Sequence, residues 1–225
     1  MTRALSAILR PGDTFLDVGA HIGYHSVFAS GIVGPEGRVF AFEPDPKVHA
    51  RLANNLASFA HAQPLQCAVS DRQTEMVFER SWDEQESGWG ALTSVRDFRK
   101  GEHILVQTVA LDSWCEQEGV HAIRVAKIDA EGSEVAVLRG AQKVLQSYRP
   151  VLCIEFNEVL LKQAGESGKA LVNVLSANHY CVHELSLREL RRLTEAPPEF
   201  ADCLCVPDEL RAEVLRLLRN RGFRY

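Results

Sequence analysis

Acid, glycine and histidine follow one another closely in Asp17-Val18-Gly19-Ala20-His21-Ile22-Gly23, directly after the short apolar run Thr14 to Val18. Glycines at such a turn let the backbone bend sharply and approach a ligand where a Cβ would collide. A helix opening after the turn offers unpaired N–H groups to a carboxylate or phosphate. Dinucleotide sites keep the position of Asp17 apolar and read G-x-G-x-x-G, whereas here His21 stands where the second glycine would be. A carboxylate at a strand tip suits a ligand carrying positive charge, such as the ammonium and sulfonium of S-adenosylmethionine. The competing reading is a plain strand-to-helix turn of any α/β protein. A second acid, Glu43, ends the apolar run that starts at Arg38. It follows Gly19 by about two dozen residues, the spacing at which a βαβ unit sets a carboxylate beside a ribose diol. Pro44 and Pro46 then stop the strand and start a helix. Asp129 closes the run Ala122 to Ile128, and Glu155 lies near the end of Val151 to Phe156. Scattered loop acids would explain one or two such positions less strainedly than all four.

The elements that must position these acids alternate along the chain. A short helix over about 2–9 ends at Pro11-Gly12. Strands are expected at 13–18, 38–43, 65–69, 76–79, 104–109, 122–128, 151–156, 180–184 and 203–206, with helices near 22–31, 46–60, 131–145, 167–177 and 208–219. Such alternation predicts an α/β fold with a largely parallel sheet covered by helices on both faces. Ligands of these sheets bind beyond the carboxyl ends of the strands. The polar stretch of about 80–101 holds Trp82, Trp89 and Phe98. An insert of that length is a lid over a ligand or a surface excursion anchored by its aromatics.

A chain of 225 residues, 46% hydrophobic and 24% charged, suffices for one sizeable core, so a single domain over 1–225 is expected. Its parts would be an N-terminal helix (1–12), the insert (about 80–101) and a C-terminal helix and tail (208–225). No run is long enough to span a membrane, and the first ten residues are too broken for a secretion signal. A net charge of −5 gives no global attraction for nucleic acid. The six cysteines contain no C-x-x-C pair and read as reduced packing residues of a cytoplasmic protein.

The runs D-V-G-A-H-I-G-Y-H-S, V-F-A-F-E-P-D-P, A-V-S-D and T-V-A-L-D-S-W, and above all K-I-D-A-E-G-S-E-V-A-V-L-R-G-A, resemble the FkbM-type methyltransferases. The resemblance covers about 13–155, and more loosely the 203–206 strand. It implies the Rossmann-like class I methyltransferase fold, with seven strands and an antiparallel last strand. It also implies S-adenosylmethionine as cofactor and methylation of a hydroxyl on a small molecule, often a sugar or a natural-product scaffold. His21 departs from the family pattern, which commonly has asparagine there. On this resemblance Asp17, Gly19, Ala20, His21, Gly23 and Tyr24 would line the methionine half of the cofactor. Glu43 with Pro44 would meet the ribose, and Ala68 and Val69 would flank the adenine. Asp129 would lie where cofactor and acceptor meet, with Glu131 and Glu155 facing the acceptor. Glu131 also fits a plain first-turn helix acid, and Glu134 fits that role better.

Methyl transfer to a hydroxyl needs alignment of the acceptor oxygen and removal of its proton. His25, Asp129, Glu131 and Glu155 are the candidate proton acceptors, His25 for its intrinsic pKa. The carboxylates could instead hold a divalent metal against a vicinal diol. No histidine-rich ligand spacing supports this, and metal is left unassigned. RNA or protein methylation on the same fold is the alternative activity. The D/N-P-P-Y/F tip of base-amine enzymes is replaced here by D-A-E-G, and an acidic chain is poorly suited to tracking phosphates. No nucleic-acid or membrane partner is therefore expected. An NAD-dependent oxidoreductase is disfavoured by Asp17, and a non-catalytic module by the presence of Asp17, Glu43 and Asp129 together. Neither the acceptor nor the oligomeric state is legible in the residues.

Overall fold

Apolar residues along the central strands feed two separate cores in strict alternation, as a pleated strand covered on both faces requires. Phe15, Val39, Val125 and Val151 enter one cluster, while Leu16, Phe40, Ala126 and Leu152 enter the other. The computed structural model describes residues 1–80, 91–93, 102–197 and 199–225. In chain order it forms α1 (Thr2–Ile8), β1 (Thr14–Val18), α2 (Tyr24–Val33), β2 (Arg38–Phe42), α3 (Pro46–Leu56), β3 (Ala62–Leu65) and β4 (Ala68–Val69). Next come β5 (Thr74–Arg80), β6 (Ala91–Thr93), β7 (Glu102–Val109), α4 (Leu111–Gln117), β8 (Val125–Ile128), α5 (Glu134–Arg139), β9 (Val151–Asn157) and α6 (Glu158–Gln163). The chain ends with α7 (Gly168–Ala177), β10 (Tyr180–Leu185), β11 (Leu190–Leu193), β12 (Phe200–Pro207) and α8 (Arg211–Arg219).

Among the described residues eight strands form the main sheet, in the order β11-β10-β12-β9-β8-β1-β2-β3. The run from β9 to β3 is parallel, and β12 is antiparallel to both of its neighbours. The antiparallel last strand thus agrees with expectation, but the sheet has eight strands rather than seven. The extra edge strand, β11, pairs antiparallel with β10. Its residues Leu190, Arg191, Arg192 and Leu193 lack the alternation that marks a strand, because only Leu190 of the four is buried.

The expected third strand, 65–69, is divided between two sheets. β3 pairs with β2, then Cys67 N donates to Leu65 O in a tight turn, and Ala68–Val69 pairs with β7 instead. Pro64 is tolerated because β3 is an edge strand. β4, β7, β5 and β6 make a second, four-stranded sheet. The helix expected to run to 145 stops at Arg139, and the chain resumes as a π-helical turn over Val144–Tyr148. At Gly140 a side chain would meet the Ser70 carbonyl at 2.2 Å, so the chain is pinned against the β4 end. The short helices α4 and α6 have too few turns to show a period in sequence. Local chemistry sets the longer ones. Asp45 caps α3 by accepting from Lys47 N and Val48 N, Pro46 opens it, and Val48, Leu52 and Leu56 form its buried stripe. Among the described residues no helix is long and apolar enough to cross a membrane. All six cysteines are free.

The tips of β1 and β8 touch through backbone. A Cβ on Gly19, which has φ +71°, would fall 1.8 Å from the Asp129 carbonyl oxygen. Gly19→Ala is therefore expected to lower Tm by at least about 10 °C. Circular dichroism melts check this, and an unchanged Tm would show that the two tips can separate freely.

Candidate functional site

The turn after β1 is held from below and from the side. Gly19 N and Ala20 N both donate to Phe42 O of β2, at 3.1 and 2.9 Å, and Gly23 N donates to Ala20 O. His21 N donates to Glu43 Oε2 at 3.0 Å, and Asp45 N donates to Glu43 Oε1 at 2.9 Å. Glu43, only 6% exposed, thus joins the turn to the start of α3. Burial pushes its carboxyl up to about 7, against the lowering effect of those two N–H groups. His21 has φ +51°, a left-handed conformation that asparagine adopts more readily than most residues. Histidine shares that tolerance, so the departure from the asparagine that the resemblance implies leaves the turn intact. The His21 imidazole pKa is lowered, chiefly by burial and then by the charge of Arg51.

Asp17 is fully buried, beneath the rim rather than on it. Its Oδ2 accepts from Ser26 Oγ at 2.6 Å, and its Oδ1 lies 3.3 Å from Lys127 Nζ. Asp17 and Lys127 are register partners across β1 and β8. The Lys127 ammonium also lies 3.1 Å from Asp129 and donates to the Gly19 carbonyl at 2.9 Å. Lys127 and Ser26 are the site residues that motif reading left without a role. A charged residue inside the buried run V-A-K-I-D, level with an opposite charge in T-F-L-D-V, was the available signal.

The turn after β8 carries the outward-facing chemistry. Asp129 N donates to Val18 O, and the buried Glu134 carboxylate accepts from Ala130 N and Gly132 N. Glu134 is therefore the acid that stabilises the turn and the start of α5. Glu131 sits within that turn at φ +48°, which leaves its side chain half-exposed beside Asp129 and Glu155. Carboxylate oxygens of Asp129, Glu131 and Glu155 all lie within 4.8 Å of one another. Burial, then repulsion from Asp129 and its neighbours, pushes Glu131 up to about 8 and Glu155 up to about 7. Such a cluster holds protons near neutral pH and can exchange them with a bound hydroxyl.

His25, in the first turn of α2, has a lowered pKa, mainly through burial and against the pull of Asp17. It is neutral at pH 7, and its ring meets Tyr24 edge-on at 5.2 Å. Tyr24 itself is 66% exposed. Ala20 and Gly23 are buried inside the turn, and Pro44 is half-buried after Glu43. Ala68 and Val69 are buried on the second sheet, Val69 packing with the Phe42 and Trp114 cluster. Of the expected insert only Arg80 and 91–93 are described. Trp82, Trp89 and Phe98, and with them the lid reading, lie outside the described residues.

This arrangement has known counterparts. Residues 17–225 match the family described as the methyltransferase FkbM domain. The chain belongs to the FkbM methyltransferase family. It is 26% identical to the 2-O-methyltransferase NoeI of Sinorhizobium fredii over 183 residues, 76% of this chain and 74% of that protein. It is 30% identical to the hexuronic acid methyltransferase AglP of Haloferax volcanii, over 62% of this chain and 54% of AglP. Among solved structures, an FkbM methyltransferase from Methylobacillus flagellatus superposes with TM-score 0.57 at 19% identity, covering 89% of this chain and 45% of that one. The chain thus spans about half the length of the last two. The structural likeness establishes the fold, and the family match places a methyltransferase domain on it.

The acid cluster has a cost measurable without any ligand. The folded state favours the neutral form of Glu131, so this stabilisation is present below the ordinary value of 4.5 and is lost as pH rises through about 8. Glu131→Gln is expected to raise Tm by about 2–4 °C at pH 8.5 and to change it little at pH 5. Scanning calorimetry on the ligand-free protein checks this, and a larger gain at pH 5 would refute the sign.

Proposed function

We propose that this chain transfers a methyl group from S-adenosylmethionine to a hydroxyl of a sugar ring or a sugar-like natural product. The observation that carries this reading is the group Asp129, Glu131 and Glu155, whose oxygens converge within 4.8 Å next to the glycine turn. Acid-rich tips of parallel strands suit a cationic donor, and the turn that Glu43 fixes suits its ribose. S-adenosylmethionine supplies an already activated methyl group, so the residues must orient the acceptor and take its proton. Glu131 and Glu155, ionised, can accept that proton on a carboxylate oxygen. Neutral His25, in the first turn of α2, is the second candidate.

A sugar acceptor fits the rim chemically. Carboxylates accept hydrogen bonds from ring hydroxyls, and exposed rings stack on the apolar face of a pyranose. Tyr24 (66% exposed), Phe200 (59%) and Val159 (58%) are unusually open apolar groups at the strand ends that carry the acids. Phe200 lies opposite Asn157 in register, two positions beyond the Glu155 and Asp202 pair. AglP, named for a hexuronic acid, supports the same acceptor class, and NoeI, named for 2-O-methylation, supports transfer to an oxygen.

The test is methyl transfer from radiolabelled S-adenosylmethionine to a panel of methyl fucoside, methyl glucuronide and a macrolide diol, with donor binding followed by calorimetry. A methylated product is expected with at least one acceptor. Glu131→Gln/Glu155→Gln is expected to lower kcat/KM by about 10²–10⁴ while sparing most donor affinity. In the wild type kcat/KM is expected to climb between pH 6 and 8.5, as the two acids lose their protons at about 7 and about 8. A protein that does not bind the donor overturns the reading, and full activity in the double variant removes these two residues from the mechanism.

A further inference from the structure

Lys127 carries a buried charge that the steps above do not use. It occupies an interior position of β8 and is almost wholly enclosed. Its Nζ meets Gly19 O at 2.9 Å, Asp129 at 3.1 Å and Asp17 at 3.3 Å, so one ammonium joins the tips of β1 and β8. Burial alone would strip its proton, but the two carboxylates outweigh that effect and hold its pKa above the ordinary value. The side chain remains an ammonium at any pH at which the enzyme would work.

We propose that Lys127 is a positioning residue that ties the glycine turn to Asp129 and sets the net charge met by a cationic donor. The proposal rests on the donor assigned under Proposed function. Asp17 and Asp129 with one ammonium between them leave a single net negative charge at the tips of β1 and β8. S-adenosylmethionine bears a sulfonium charge that its demethylated product, S-adenosylhomocysteine, lacks. Lys127 thereby tempers how strongly the rim prefers the charged donor to the neutral-sulfur product. The affinity ratio of these two ligands reports that local field, because distortion of the shared binding surface affects both ligands and largely cancels.

The same ammonium acts on His21 and His25 beside the turn, on Glu43 at the β2 tip, on Glu131, and on Cys153 and Glu155 of β9. Glu134 and Asp202 also bear on that group of acids. The ammonium holds Glu131 and Glu155 down from still higher values, so its loss is offset by proton uptake there, and the contrast is read at both pH 7.5 and pH 9.5, with the full effect expected at the higher pH.

Calorimetry of the full chain with S-adenosylmethionine and S-adenosylhomocysteine tests the proposal on wild type, Lys127→Met, Lys127→Arg and Asp17→Asn. The ratio of product Kd to donor Kd is expected to rise about tenfold in Lys127→Met and to fall about tenfold in Asp17→Asn. Lys127→Arg keeps the charge and should stay within about twofold of wild type. Opposite movements in two variants of one ion pair do not arise from misfolding. If Lys127→Met fails to fold, Lys127→Gln, which removes the charge but keeps a polar group, takes its place beside Asp17→Asn. A ratio that stays put, or that moves the same way in both, overturns the role of Lys127 and leaves the donor assignment standing. A wild type that binds neither ligand overturns both.

Discussion

The rim depends on a pair of opposite charges placed where the fold calls for apolar side chains. β1 and β8 are central parallel strands, covered on both faces, and their other interior positions are Phe, Leu, Val, Ala and Ile. Asp17 and Lys127 stand level with each other in that setting, beneath α2, whose Ser26 supplies a hydrogen bond. A buried ion pair is weak as a source of stability, because desolvating two charges offsets most of their attraction. Its value here is geometric. The ammonium reaches past its partner to the Gly19 carbonyl and to Asp129, so the turn and the acid-bearing loop cannot move independently.

Above that pair the rim gathers more negative charge than a folded protein tolerates comfortably. Glu43, Glu131 and Glu155 are all pushed toward or above neutrality, and burial is the first cause in each case. Glu131 additionally holds a left-handed backbone conformation that is uncommon for a residue with a side chain. Strain and like-charge crowding at one place are the usual mark of a site shaped for a ligand rather than for stability. The fold meets the cost elsewhere, in two cores that leave the central strands almost no accessible surface.

Much of this was legible. The acid at each strand tip, the glycine turn and the D-A-E-G segment were visible as breaks in apolar runs, and the alternation of elements fixed the parallel sheet. The features that a linear pattern does not carry are tertiary in origin. β11 shows no alternation because Arg191 and Arg192 are both exposed at a sheet edge. The run around Ala68 and Val69 looked like a continuation of the third strand, since a turn centred on Gln66 leaves no glycine or proline to announce it. The role of Lys127 lies in its register with Asp17, more than a hundred positions earlier, and a linear pattern carries no register between distant strands.

The acids themselves divide in a way their shared position at strand ends conceals. Glu43 and Glu134 spend oxygens on backbone N–H groups, and each does so beside a non-glycine residue of positive φ, His21 in one turn and Glu131 in the other. Asp17 spends its oxygens on Ser26 and Lys127. These three acids act first as structure, fixing two tight turns side by side at the rim. Asp129 and Glu131 in the second turn, and Glu155 near the end of β9, then meet with carboxylate oxygens that no backbone N–H among the described residues holds. Convergence of carboxylates alone does not separate these roles; the oxygens left for a bound hydroxyl are those that backbone N–H groups, Ser26 and Lys127 have not already claimed.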